Sequence, residues 1–190
     1  MENHCGPSMR MFVKKNLKHL IIVITTIAFF FISPLIQQKL ALRNSTLVVV
    51  SDPLPPVTQD ARMYVDYLRL TNTSKSEYEL AGWGFCDLIS CTSPSDYSRK
   101  ILLISDKRIY SIDINPLNRP DVEEAFRDLN LNLKGVGYKV KILKDALPKG
   151  NYKIYLYFNL TDGTKWVLDS EWSVIRSNND IELMKTVDTN

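Results

Sequence analysis

One apolar run constrains this chain more than any other feature. Leu20–Ile36 reads Leu-Ile-Ile-Val-Ile-Thr-Thr-Ile-Ala-Phe-Phe-Phe-Ile-Ser-Pro-Leu-Ile, with no charge and only hydroxyls as polar side chains. A helix needs roughly 20 predominantly apolar residues to span hydrocarbon, with a lower limit of about 17. The run meets that limit, and a buried core helix would need a polar face that it lacks. We read residues 20–36 as a transmembrane signal anchor that divides a short head from a long tail.

Charge orients it. Arg10, Lys14, Lys15 and Lys18 precede the run against Glu2 alone, whereas 20 basic and 20 acidic residues follow it, so the formal excess of +3 sits on the N-terminal flank. Short Lys/Arg-rich flanks stay cytoplasmic, which places residues 1–19 inside and the tail outside. A cleaved secretory signal is the competing reading. Its apolar region is shorter, and Pro34-Leu-Ile-Gln-Gln-Lys-Leu-Ala offers no small-x-small cleavage pair.

The expected organisation is a basic head (1–19), the anchor (20–36), a neck (37–60), one extracytoplasmic domain (61–177) and a polar tail (178–190). The neck carries Leu47-Val-Val-Val50, a candidate early strand. It also carries Asp52-Pro-Leu-Pro-Pro56, a semi-extended spacer that cannot be a helix interior or a central strand. Strand signals dominate after Ala61. Met63–Leu70, Tyr78–Phe85, Ile101–Ile104, Ile109–Ile114, Tyr138–Leu143, Tyr152–Phe158 and Lys165–Leu168 are rich in aromatic and branched residues, and Trp172–Ile175 extends the edge. Ser105–Arg108 and Asp162-Gly163 read as hairpin turns. Pro120–Arg127 is the helical exception, with Pro at a favourable first position, acids in the first turn and Asn118 as its candidate cap. Many short strands with one short helix predict a mainly β, two-sheet antiparallel sandwich.

Three stretches then fall in order: Gly82-Trp-Gly-Phe-Cys-Asp87; Arg119-Pro-Asp-Val122 with Ala125-Phe126; and Gly137-Tyr138 followed by Leu147-Pro-Lys-Gly-Asn-Tyr152. This resembles the Ig-like β-sandwich accessory modules of bacterial cell-wall hydrolases and cell-surface polysaccharide proteins. The resemblance covers roughly residues 78–169 and implies an Ig-like fold without catalytic residues. The loop between Cys86 and Cys91 is additional to the pattern.

Four positions stand out as structural motif residues. Trp83 is expected in the core between the sheets, with a sugar-stacking platform as the alternative. Arg119 and Asp121 are expected to pair and tie the short helix to the sandwich, with a ligand carboxylate clamp as the alternative. Gly150 releases the chain from a turn into the next strand. Cys86 and Cys91, both predicted outside, are read as a disulfide, and two buried thiols are the other reading. Cys5 lies on the inner side.

Both histidines, His4 and His19, lie on the cytoplasmic side of the anchor. The outer domain therefore lacks His-based acid–base catalysis, triads and His-ligated metal. No catalytic residue, cofactor or metal is expected, and balanced charge argues against nucleic acid. Asn44, Asn72 and Asn159 match the glycosylation sequon, which matters only in a eukaryotic secretory route. Two function classes remain. One is a membrane-tethered, non-catalytic module that binds an envelope protein or glycan through exposed aromatics such as Tyr97, Tyr155 or Tyr157. The other is an enzyme working through the carboxylates of Asp121, Glu123 and Glu124.

Overall fold

The computed structural model describes His19, residues 21–33, Ile36, and residues 46–72, 74–87 and 93–186. The chain forms two compact units, residues 1–40 and 41–190.

In the first unit residues 21–33 are helical (α1), with side chains exposed almost throughout. Thr25 returns its hydroxyl to the Ile21 and Ile22 carbonyls, both at 2.9 Å. Among the described residues no helix is long and apolar enough to cross a membrane.

The second unit is mainly β: among the described residues it holds two antiparallel sheets and one short α-helix. The six-stranded sheet runs in the order β1 (Val48–Val50), β5 (Ile109–Asp113), β4 (Tyr97–Ile104), β8 (Gly150–Leu160), β9 (Lys165–Arg176), β10 (Ile181–Lys185). The four-stranded sheet runs β2 (Ala61–Leu70), β3 (Glu77–Cys86), β7 (Gly137–Leu143), β6 (Asn115–Leu117). The anticipated hairpins are present: β4 pairs with β5 across Ser105–Arg108, and β8 pairs with β9 across a turn holding Gly163 at φ 86°. That positive φ is what glycine supplies cheaply.

Period-two alternation builds the core. Ile101 and Leu103 of β4, Tyr110 and Ile112 of β5, and Ile154, Leu156 and Phe158 of β8 point inward from the larger sheet. Leu80 of β3 and Tyr138, Val140 and Ile142 of β7 meet them from the smaller one. Arg99 also points inward and is 8% exposed. It donates to the carbonyls of Gly84, Val136 and Gly135 at 2.5, 2.6 and 2.6 Å, so the buried cation is satisfied by backbone oxygens of the opposite layer.

Three expectations are corrected. Residues 47–58, read as neck, are built into the sandwich. Leu47 is buried, β1 pairs with β5, and Pro56–Thr58 bond to Val167 of β9. Between those points residues 51–55 form a strap across the outer surface of the larger sheet, over Ser111, Leu102 and Tyr157, leaving a groove of about 360 Å³ beneath. The tail beyond Ser177 does not end the fold. Ile181 is buried, and β10 pairs with β9 through five residues. The helix (α2, Pro120–Ala125) takes Arg119 as its N-cap with no side-chain cap bond, so Asn118 does not cap it, and a 3-10 turn, Arg127–Leu129, follows.

Candidate functional site

Three of the sequence-derived residues, Trp83, Arg119 and Asp121, gather on the outer surface of the four-stranded sheet, away from the core between the layers. Alternation along β3 sends Tyr78, Leu80 and Cys86 inward, and Trp83 and Phe85 outward. Trp83 is therefore not the inter-sheet tryptophan that was expected. It belongs to a second, smaller apolar cluster with Phe85, Val122, Phe126, Leu133 and Val136, where α2 and the segment after it pack on this surface.

The rings pack in a defined order. Tyr64 of β2 stands directly across from Trp83 and stacks with it at 6.3 Å and 24°. Trp83 stacks with Phe85 at 5.9 Å and 19°. Phe126 closes against both, at 5.4 and 5.3 Å. Phe85 is fully buried and Trp83 half-buried, whereas Tyr64 is 50% exposed. Each step of this series is an offset or edge arrangement of the kind aromatic pairs favour.

Ion pairs flank the rings. Arg62 reaches Asp87 at 2.8 Å, and its guanidinium lies 5.3 Å from the centre of the Phe126 ring. On the other side β2 carries a bulge between Val65 and Tyr67, which puts the successive residues Asp66 and Tyr67 to work on the same surface. Tyr67 donates to Glu79 at 2.9 Å, and Asp66 accepts from Arg119 at 2.6 Å. Arg119 holds Asp121 in a bidentate fork at 2.9 and 2.6 Å. Its stem passes over Gly137, where a Cβ would come within 2.7 Å of Arg119 Cγ. The glycine before Tyr138 is thus the gap through which Arg119 reaches β2.

The electrostatics follow from these contacts. Hydrogen bonding from Arg119 lowers the Asp121 carboxyl to about 2, and the same bond raises Arg119. Glu79 resists its own burial, which acts to raise it, and is lowered on balance by hydrogen bonds from Tyr67 and Arg69.

The carboxylates considered for catalysis do not converge. Asp121 is held by Arg119, Glu124 pairs with Arg127 at 3.1 Å, and Glu123 has its own half-buried position on α2. Among the described residues no group of His, Cys, Asp or Glu is arranged to hold a metal ion.

The three tyrosines named from sequence part company. Tyr97 is buried in the core and packs edge-on against Phe158. Tyr155 and Tyr157 do share one surface, the outer surface of the larger sheet, and both are half-buried. Burial and then the neighbouring Asp169 push Tyr155 up to about 12. Gly150 opens β8 opposite Arg176, in the six-stranded sheet and not in the one that carries the aromatic series. Cys86 is buried. Cys91 lies outside the described residues, and no disulfide is formed among those described.

Sequence reasoning did not find Tyr64, Asp66 or Arg62. Alternation in Met63–Leu70 marks a strand, but the bulge that sets the register of Asp66 and Tyr67 has no residue signature there.

No family model matches the chain, and no curated protein and no solved structure matches it.

Proposed function

We propose that this protein is a single-pass, membrane-anchored accessory module of the cell envelope. In this reading its Ig-like domain lies outside the membrane, carries out no chemistry, and binds a partner protein or glycan. Residues 20–36 supply the anchor, with the charge asymmetry fixing a cytoplasmic N-terminus. The hydroxyl of Thr25, returned to its own backbone, suits a helix in hydrocarbon, where an unsatisfied donor is costly.

The observation that carries the binding role is the ordered series Tyr64–Trp83–Phe85 with a half-exposed ring at its outer end. Rigid exposed aromatics supply contact area at little entropic cost. Two of the three carboxylates considered for catalysis, Asp121 and Glu124, are engaged in ion pairs, and the Arg119 fork favours the ionised form of Asp121. The order of the Gly-Trp, Arg-Pro-Asp-Val and Leu-x-x-Gly-x-Tyr motifs supports the Ig-like assignment.

The test uses cells in which loss of this protein gives a scorable envelope defect. The combined variant Glu123→Gln, Glu124→Gln leaves the Arg119–Asp121 pair intact and should restore the wild-type phenotype. Failure to complement, at normal abundance and melting temperature, would establish carboxylate chemistry in place of the module. Protease added to spheroplasts should digest the domain and spare a tag at residue 1.

A further inference from the structure

We infer that the Tyr64 ring is the platform for one sugar residue of an uncharged glycan, gripped on either side by the ion pairs of Arg62 and Arg119. This inference rests on the binding-module reading and names its ligand.

Tyr64 presents a fixed ring. One side stacks on Trp83 at 6.3 Å, and half of the residue remains open to solvent. Arg62 and Asp66 lie two residues to either side of it along β2, and their ion pairs fall on the same surface. Both are already held: Arg62 by Asp87 at 2.8 Å, and Asp66 by Arg119 at 2.6 Å, itself clamped by Asp121.

The chemistry of the surface selects among ligands. A wholly apolar partner would bury these ion pairs without offering them hydrogen bonds, which is costly. A strongly charged ligand finds opposing charges, since Arg62 and Arg119 are matched by Asp66, Asp87 and Asp121. A pyranose satisfies both halves. Its axial C–H face lies on the ring, its hydroxyls donate to the exposed oxygens of Asp66 and Asp121, and its oxygens accept from Arg62. Asp121 is 62% exposed at its side chain, so its oxygens are open to further donors. No bond is made or broken.

The experiment is calorimetric titration of the full chain, reconstituted in nanodiscs, with neutral hexasaccharides of β-glucan, mannan and N-acetylglucosamine, and with polygalacturonate as the anionic probe. At least one neutral hexasaccharide should bind the wild-type chain. Tyr64→Val keeps a strand-forming residue and should weaken that binding about 30-fold, the loss expected for a central aromatic anchor. Tyr64→Phe should stay within about threefold of wild type, since the ring and not the hydroxyl makes the contact. Saturation-transfer NMR on the wild-type chain, which needs no variant, should show the sugar C–H protons receiving magnetisation from the protein. The inference is overturned if no neutral hexasaccharide binds, if only polygalacturonate binds, or if Tyr64→Val binds as tightly as wild type. A photo-crosslinker at position 64 that captures an envelope protein, with every neutral saccharide inert, would also overturn it while leaving the accessory-module reading intact. That reading falls instead with the carboxyl-to-amide complementation test.

Discussion

Tyr138 lays its phenol across the bare backbone of Gly82 and donates from Oη to the Tyr64 carbonyl at 3.3 Å, joining β7 to β2 across the strand between them. A Cβ at Gly82 would collide with both the phenol and that carbonyl. Gly82→Ala should therefore cost roughly 3 kcal/mol, at the upper end of overpacking effects, because a backbone oxygen has little room to yield. A denaturant midpoint matching wild type would show that the layer adjusts freely.

Arg99 invites a second substitution. Arg99→Met keeps an apolar stem and removes the donors to Gly84, Val136 and Gly135. Uncompensated buried acceptors cost roughly 1–3 kcal/mol, so a loss of about 3 kcal/mol is expected, read as a lower denaturant midpoint at unchanged slope. Arg99→Lys should recover part of it.

Deleting residues 178–190 should also destabilise the domain by roughly 3 kcal/mol, since it removes the buried Ile181 and the ladder between β10 and β9. A truncated chain that melts with the full one would contradict the packing of β10.

Acid should act through Asp121. Arg119 holds its carboxyl at about 2, below the ordinary value of 3.8, so the folded chain binds this proton more weakly than the unfolded chain. The contribution is complete above the unfolded value and is lost as pH falls from about 4 toward 2. Asp121→Asn should flatten that part of the stability profile, and added salt should reduce it in the wild type.

Alkali should act through buried tyrosines. Burial, then Asp169, raises Tyr155 to about 12, and burial, then Tyr110, raises Tyr152 to about 12. Both favour the neutral phenol in the folded state. Their contribution is full below about pH 10 and declines as pH climbs toward 12, which a pH series of denaturant midpoints would record.

Alternation carried much of the fold into view. Tyr138–Leu143 lies within a strand as its alternation implies, and the apolar runs Ile101–Ile104 and Tyr152–Phe158 each lie within a strand as well. β6 escaped notice because Asn115-Pro-Leu is too short to show a period and Pro116 argues against a strand, although the outer edge of a sheet tolerates it. β10 was hidden in a polar tail whose anchoring Ile181 looks unremarkable alone. Trp83 lies on the outer side of its strand and not between the sheets, where its size alone would put it. The flanking glycines gave no hint of which side was which, since that depends on Tyr138 and Leu156 arriving from other strands. Arg119 and Asp121 were legible as a pair because Pro120 holds them close. Their third partner, Asp66, lies 53 residues earlier and comes within reach only through the fold.

The strap has a mechanical consequence. It enters at β1 on one border of the larger sheet and is next bonded at β9, beyond β5, β4 and β8. A pull arriving from the N-terminal side first loads the bond from Thr46 to the Lys141 carbonyl and the β1–β5 pairing. Once these yield, the load passes to the Val167 bonds on the far side of three more strands. The domain thus has two sequential tethering points in place of one peeling edge, and a force-extension trace should show a small early release of residues 47–56 before the sandwich itself gives way.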